Sequence, residues 1–200
     1  CCWRVVVRRW VDAIRFVGSV GGVDETGNEM TPAQTSALAQ ADVMAVSGVD
    51  LEHFLDDAVV SSGFKGRMVV TSGVLTAADV DNPGTPDPEG AYTIDRGSER
   101  VDVAPWPFPP EEAGEEPEFR FDPHVWTSPK GARVQVANLG AGLAAAAPDA
   151  ASSINAATAS YLEDIDALDQ WTAEAIKTVP EGQRVLFTSH DAFGYFSRDY

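Results

Sequence analysis

Apolar and polar positions form short blocks along the chain, and these blocks predict a succession of helices and buried strands. A helix is predicted to begin at Thr31 and Pro32, which are a suitable N-cap and a suitable first helical residue. Two apolar runs that end in glycine, at 43–48 and 67–73, predict buried strands. Between them, residues 51–63 carry apolar side chains at helical spacing. The order strand, helix, strand favours a parallel sheet with crossover helices.

The second half of the chain predicts two long helices and one more strand. The first helix covers 129–147 and ends at Pro148, and the second covers roughly 150–178, with apolar residues at three- and four-residue steps. The second helix would be about 42 Å long at 1.5 Å per residue, which suits a rod between two lobes. A buried strand is predicted at 184–190, and a helix is predicted to start near Asp191.

Composition and charge narrow the class of protein. The chain has 200 residues, of which 44% are hydrophobic, and this is a globular composition. No apolar run reaches the roughly 18 residues that a membrane-spanning helix needs. The net charge of -17 argues against nucleic acid or anionic lipid as a partner, because phosphates would be repelled.

The negative charge is concentrated in one stretch. Thirteen of the 31 acidic residues and eight of the 13 prolines lie between Asp79 and Asp122, where only three arginines oppose them. Because proline lacks a backbone donor and like charges repel, a packed element is not expected over most of it. We predict that 79–121 is a long acidic loop with a short strand or turn around 91–94. Such a loop is either a solvated spacer or a loose collector of cations.

The first 20 residues have a different composition, with four arginines and one aspartate. They contain no signal-peptide pattern, so we expect that a signal was removed or that residues 1–26 are not native. The only cysteines, Cys1 and Cys2, are adjacent and are not expected to bridge each other. Because mature bacterial lipoproteins begin with cysteine, Cys1 is a candidate lipid-bearing residue.

His124 is a candidate metal ligand. It follows Pro123, which restricts Asp122 to an extended conformation, so the histidine is expected on a turn. Trp126 can pack beneath the imidazole, and the carboxylate of Asp122 can orient the ring. The alternative is a purely structural turn.

His190 is the second candidate, because it ends a predicted strand and ligands of open α/β sheets bind at the carboxyl ends of strands. Its neighbour Asp191 could accept a hydrogen bond from the ring or cap the next helix. His53 lies between Glu52 and Phe54 in a predicted helix and is most simply a surface residue. The sequence has no phosphate loop, dinucleotide fingerprint, nucleophile elbow or zinc-protease motif.

Two motifs together carry a family resemblance. DPHVW at 122–126 and TSHDAFGYF at 188–196, separated by a long helix, closely resemble the substrate-binding proteins of zinc and manganese ABC transporters. Gly48, Leu51 and Glu52 match a turn of that family between a strand and a helix. TSGV at 71–74 resembles the end of its next strand, before a variable loop that is acidic or histidine-rich in zinc-type members.

The resemblance implies a two-lobed α/β fold with a metal ion between the lobes. Residues 1–148 would form the first lobe, 149–179 the linking helix, and 180–200 the start of the second lobe. His124 and His190 would each supply one ligand to Zn²⁺, with Mn²⁺ less favoured because it prefers carboxylate oxygens.

The resemblance also implies the role of a solute-binding protein outside the cytoplasm, exported by a signal that this chain lacks. It would deliver the metal to an ABC transporter permease. Contact with the membrane would come only through that permease or through a lipid anchor.

Two departures from the family pattern lower the expected number of ligands. The first family histidine corresponds here to Thr26, and Asp24 or Glu25 could replace it only weakly. The last family ligand, a carboxylate, would come after Tyr200. The chain is therefore expected to be an incomplete or frame-altered version of a longer protein.

Two other functions remain open from the sequence. One is a truncated remnant that no longer binds metal tightly. The other is a zinc hydrolase that uses the same two histidines with Asp191 as general base, although catalytic zinc usually has three protein ligands.

Overall fold

Three short parallel strands form the sheet. A computed structural model describes residues 32–52, 56–83, 87, 91–110, 117 and 119–200. Strands β1 (Val43–Val46), β2 (Arg67–Val70) and β3 (Thr93–Asp95) lie side by side in chain order, and both pairings are parallel. The predicted parallel sheet is therefore confirmed, with β3 as a strand inside the acidic stretch.

Helices connect and follow the strands. In the described residues these are α1 (Pro32–Leu38), α2 (Asp56–Ser62), α3 (Ala77–Asp81), α4 (Pro129–Ala146), α5 (Ala151–Lys177) and α6 (Gly194–Asp199). Short 3-10 turns lie at Val125–Thr127, Pro148–Ala150 and Glu181–Gln183. None of the helices in these ranges is long and apolar enough to cross a lipid bilayer.

Both faces of the sheet are covered, which explains why the strands read as continuous apolar runs. On one face, β1 and β2 pack against α1 and α2 in a cluster of buried side chains: Leu38, Ala41, Met44, Val46, Val59, Phe64, Met68 and Val70. On the other face α4 approaches β2 so closely that a Cβ on Gly142 would meet the Val69 side chain. The sheet therefore lies between two helical layers.

The two long helices follow the sequence prediction closely. Ser128 caps α4, because its hydroxyl accepts a hydrogen bond from the Lys130 backbone, and Pro129 is the first helical residue. Helix α5 has 27 residues and is about 40 Å long. It packs against α4 where Gly140 leaves no space for a Cβ beside Thr158.

The acidic stretch 79–121, predicted as a long acidic loop, is held by ion pairs at its described positions. The buried carboxylate of Asp79 accepts hydrogen bonds from Arg96, which also forms an ion pair with Asp87. Arg120 forms an ion pair with Asp81 at 2.6 Å. These arginines offset the like-charge repulsion that led us to predict a loop. The short strand predicted near 91–94 is confirmed as β3.

The prediction of a strand at 184–190 is wrong. In the part of the chain that the structure describes, no strand lies beside this segment, and a strand exists only through hydrogen bonds to a neighbour. The apolar run is instead exposed, and 91% of Phe187 is accessible to solvent. The following helix, α6, begins at Gly194 rather than near Asp191.

Candidate metal centre

Asp122 fixes the ring of His124. One carboxylate oxygen, Oδ1, accepts a hydrogen bond from the His124 backbone N–H at 2.9 Å and lies 2.8 Å from ring Nδ1. Because a carboxylate oxygen accepts hydrogen bonds, this contact assigns the ring hydrogen to Nδ1 and leaves the Nε2 lone pair free. Both side chains are buried, and His124 lies just before the 3-10 turn at Val125–Thr127.

The second predicted histidine meets the first at this free nitrogen. Nε2 of His190 lies 3.2 Å from Nε2 of His124, and the two rings are nearly perpendicular at 81°. The carbonyl of His190 accepts hydrogen bonds from the Ala192 backbone and the Thr188 hydroxyl, which hold its segment in a tight turn. Two nitrogens at this separation can share a proton or bind one cation.

Aromatic rings surround His124 and exclude water from its buried side. The ring centroids of Trp126, Trp106 and Phe119 lie 5.4, 5.9 and 6.5 Å from that of His124. Trp126 was predicted, whereas Trp106 and Phe119 were missed because they lie in the acidic stretch. An isolated antiparallel bridge between Pro105 and Phe121 brings them together.

Tyr195 is a buried residue of this site that the sequence analysis did not single out. Its hydroxyl donates a hydrogen bond to the Asp122 carbonyl at 2.7 Å and accepts one from the Ala104 backbone at 3.2 Å. Burial raises the pKa of Tyr195 to about 12, so the phenol remains a donor at neutral pH. Its place in the motif TSHDAFGYF was the available signal.

Asp191 lies at the edge of the site. Together with Pro107, Phe187 and Phe193 it lines a cleft of about 390 Å³. Within the described chain no hydrogen bond joins its carboxylate to the His190 ring, and Phe193 occupies the N-cap position of α6. The roles predicted for Asp191 stay predictions.

The predicted turn after β1 is present, and it packs beside the residues of the site. The Glu52 carboxylate accepts hydrogen bonds from the backbone N–H groups of Ser47 and Gly48 at 2.7 and 3.0 Å. Burial raises the pKa of Glu52 above its ordinary value. Val49 has a positive φ of 58° and packs in the same buried cluster as Val125, next to His124.

The described residues bring together two candidate metal ligands, His124 and His190. Among these residues there is no group of three or more histidine, cysteine, aspartate or glutamate side chains that could hold a metal ion. Thr26, Asp24, Glu25 and His53 lie outside the described residues.

Comparison with protein families decides the relationship. The profile of the ZnuA family, described as the periplasmic component A of zinc-uptake complexes, matches residues 20–200. The chain belongs to this family. The predicted relationship to zinc and manganese substrate-binding proteins is confirmed. The prediction of a binding protein rather than an enzyme is also confirmed at the level of the family, which is described as a component of zinc-uptake complexes.

Individual relatives differ in the metal that their names state. The manganese-binding lipoprotein MntA of Bacillus subtilis (strain 168) is 29% identical over 179 residues, which are 90% of this chain and 48% of MntA. The zinc-binding protein TroA of Treponema pallidum (strain Nichols) is 36% identical over 83 residues, which are 42% of this chain and 27% of TroA. The chain therefore spans about half the length of MntA, and its match to TroA spans about a quarter of TroA.

Solved structures of ZnuA-type proteins share the fold. A zinc-bound deletion mutant of ZnuA superposes with a TM-score of 0.61 at 20% identity, over 86% of this chain and 52% of that one. The TroA crystal structure from Treponema pallidum gives 0.54 at 24% identity, over 85% of this chain and 50% of that one. These matches confirm the predicted class, α/β with a parallel sheet and a long helix.

Proposed function

We propose that the chain captures zinc between Nε2 of His124 and Nε2 of His190. The observation that carries this proposal is their separation of 3.2 Å. Two nitrogens bound to one tetrahedral zinc ion at about 2.0–2.1 Å lie about 3.3 Å apart, so a zinc ion fits with little movement. Membership of the zinc-uptake family supports the same ligand.

The surroundings of the pair favour a cation. The Asp122 carboxylate accepts a hydrogen bond from Nδ1 of His124, which leaves the Nε2 lone pair of the ring available to a metal. The net charge of -17 attracts cations over longer distances. The aromatic rings around His124 limit water on its buried side, so the charge of Asp122 is weakly screened.

Zinc is the favoured metal, with manganese as the second choice. Imidazole nitrogens suit zinc, whereas manganese prefers a larger share of carboxylate oxygens. The two histidines occupy two of the four positions of a tetrahedral ion, which leaves two for other donors or water. Zinc bound by this pair alone is therefore held more weakly than in a closed four-ligand site.

The protein that contains this chain is proposed to act outside the cytoplasm and to deliver the metal to an ABC transporter permease. The family description as periplasmic and the description of MntA as a lipoprotein support this location. Contact with a membrane would come through the permease or through a lipid on Cys1. The acidic stretch would raise the local concentration of cations near the site.

Calorimetric titration of the metal-free chain with zinc tests the proposal. His124→Ala and His190→Ala should each weaken binding at least tenfold, because each removes one of two protein ligands. The matched control is His53→Ala, which removes the third histidine and should leave the affinity unchanged. Wild-type binding no tighter than that of the double variant would contradict the proposal and favour the remnant.

A further inference from the structure

One side chain connects the two segments that carry the histidines. Tyr195 lies in α6, five residues after His190, and its hydroxyl donates to the carbonyl of Asp122 at 2.7 Å. Asp122 is the residue whose carboxylate orients His124. A single hydroxyl therefore joins the segment of His190 to the partner of His124.

The hydroxyl is fully engaged, and this fixes its position. It also accepts a hydrogen bond from the Ala104 backbone at 3.2 Å, and 1% of the residue is exposed. The ring packs with Val49, Val101 and Val125, so packing alone would hold a phenylalanine equally well. The hydrogen bonds of the hydroxyl are what tyrosine adds at this position.

Gly194 brings the start of α6 directly against the same aspartate. A Cβ at this position would overlap Oδ2 of Asp122. That oxygen is buried and has no hydrogen-bond partner in the described part of the chain, so the close approach of Gly194 is what confines it. A residue larger than glycine would turn the carboxylate and the His124 ring with it.

We propose that Tyr195 is a positioning residue, whose hydroxyl holds the His190 segment against Asp122. It thereby sets the separation of the Nε2 atoms of His124 and His190 at a distance that one cation can bridge. The segment 184–190 has no ladder of backbone hydrogen bonds to a neighbouring strand among the described residues. The side-chain hydrogen bond of Tyr195 therefore holds this segment in place of such a ladder. This inference rests on the proposed function only in that the pair binds zinc.

The first test needs no metal. In the metal-free wild-type chain, a nuclear Overhauser cross-peak should join the ring protons of His124 and His190. Tyr195→Phe keeps the ring and removes the hydroxyl, and it should reduce this cross-peak severalfold. Tyr161→Phe is the matched control, since Tyr161 is half-exposed on α5, and it should leave the cross-peak unchanged.

The second test uses zinc. Tyr195→Phe should weaken zinc binding roughly 10-fold or more, the range found when groups that orient metal ligands are removed. In a His190→Ala background the same change should have less than a twofold effect, because the hydroxyl acts through His190. Equal losses in both backgrounds would indicate a general structural role and overturn the proposal.

The two hypotheses fail in different ways. A wild-type chain that binds no zinc, with a cross-peak that Tyr195→Phe abolishes, contradicts the proposed function and supports positioning. An undiminished cross-peak in Tyr195→Phe overturns positioning whatever the zinc affinity. Should Tyr195→Phe fail to fold, the Tyr195 hydroxyl proton of the wild-type chain is followed instead by NMR. Its exchange with water should be slow because it is buried and bonded to the Asp122 carbonyl, and rapid exchange would contradict the inference.

Discussion

Asp122→Asn removes the charge from the partner of His124 while keeping the size of the side chain. The amide oxygen can still accept hydrogen bonds from the backbone and the ring of His124, but it does so as a neutral acceptor. Hydrogen bonds that involve an ionised partner are roughly twice as strong as neutral ones. The variant should therefore leave the turn at His124 formed and make the Nε2 atom of that ring a weaker donor to a metal.

The expected magnitude follows from the burial of the pair. Asp122 is 1% exposed and His124 is 5% exposed, so water screens their interaction little. Removal of a group that orients a metal-bound histidine typically costs 10- to 100-fold in affinity. On this basis Asp122→Asn should weaken zinc binding by about 1.4–2.7 kcal/mol.

Calorimetric titration with zinc at fixed pH and ionic strength measures this loss. Asp191→Asn is the matched control, because it removes the same charge at the edge of the site, where the carboxylate is not bonded to the His190 ring. The control should change the affinity less than about threefold, as expected for an exposed charge. Equal losses in both variants would show that net charge, rather than the Asp122 hydrogen bond, controls the affinity.

Three further predictions concern the fold. Burial raises the pKa of Glu52, so its contribution to the free energy of unfolding should fall as pH rises above the ordinary value of 4.5 and through the raised pKa. Glu52→Gln should therefore become more stable relative to wild type as pH rises, and a difference in urea denaturation that is constant with pH would contradict this. Gly142→Ala should destabilise the chain by about 1–3 kcal/mol because its Cβ would meet Val69, whereas Gly182→Ala, with open space around it, should not. The exposed Trp171 and Leu168 of α5 should cause self-association that rises with concentration and that Trp171→Asp reduces; sedimentation showing a monomer at high concentration would refute this.

The order of the elements could be predicted because each has a local signal. Helix α5 has apolar positions at helical spacing, and β1 and β2 are short apolar runs that end near glycine. The segment 184–190 has the same signal as β2, yet it forms no strand in the described chain. A strand depends on a neighbouring strand, and local sequence does not show whether one is present.

The candidate site divides in the same way. His124, His190 and Asp122 could be found because they stand in short motifs, and the structure brings them together. The hydrogen-bonding role of Tyr195 could not be assigned from its motif, since its two partners lie 73 and 91 residues away along the chain. Contacts over such distances arise only when the whole fold is formed.

The two histidines are held with unequal rigidity. The backbone of the His124 loop is fixed, because the N–H of Asp122 donates to the carbonyl of Ala104 at 2.9 Å and Val125 is fully buried beside the ring. His190 lies in an exposed segment that has no strand beside it in the described chain. An incoming cation can therefore reach His190 from solvent, while the Tyr195 hydroxyl limits how far that segment can move from Asp122. The ring of His124 and the hydrogen bond of Tyr195 both depend on Asp122, so changes at Asp122 should cost more affinity than changes within 184–188.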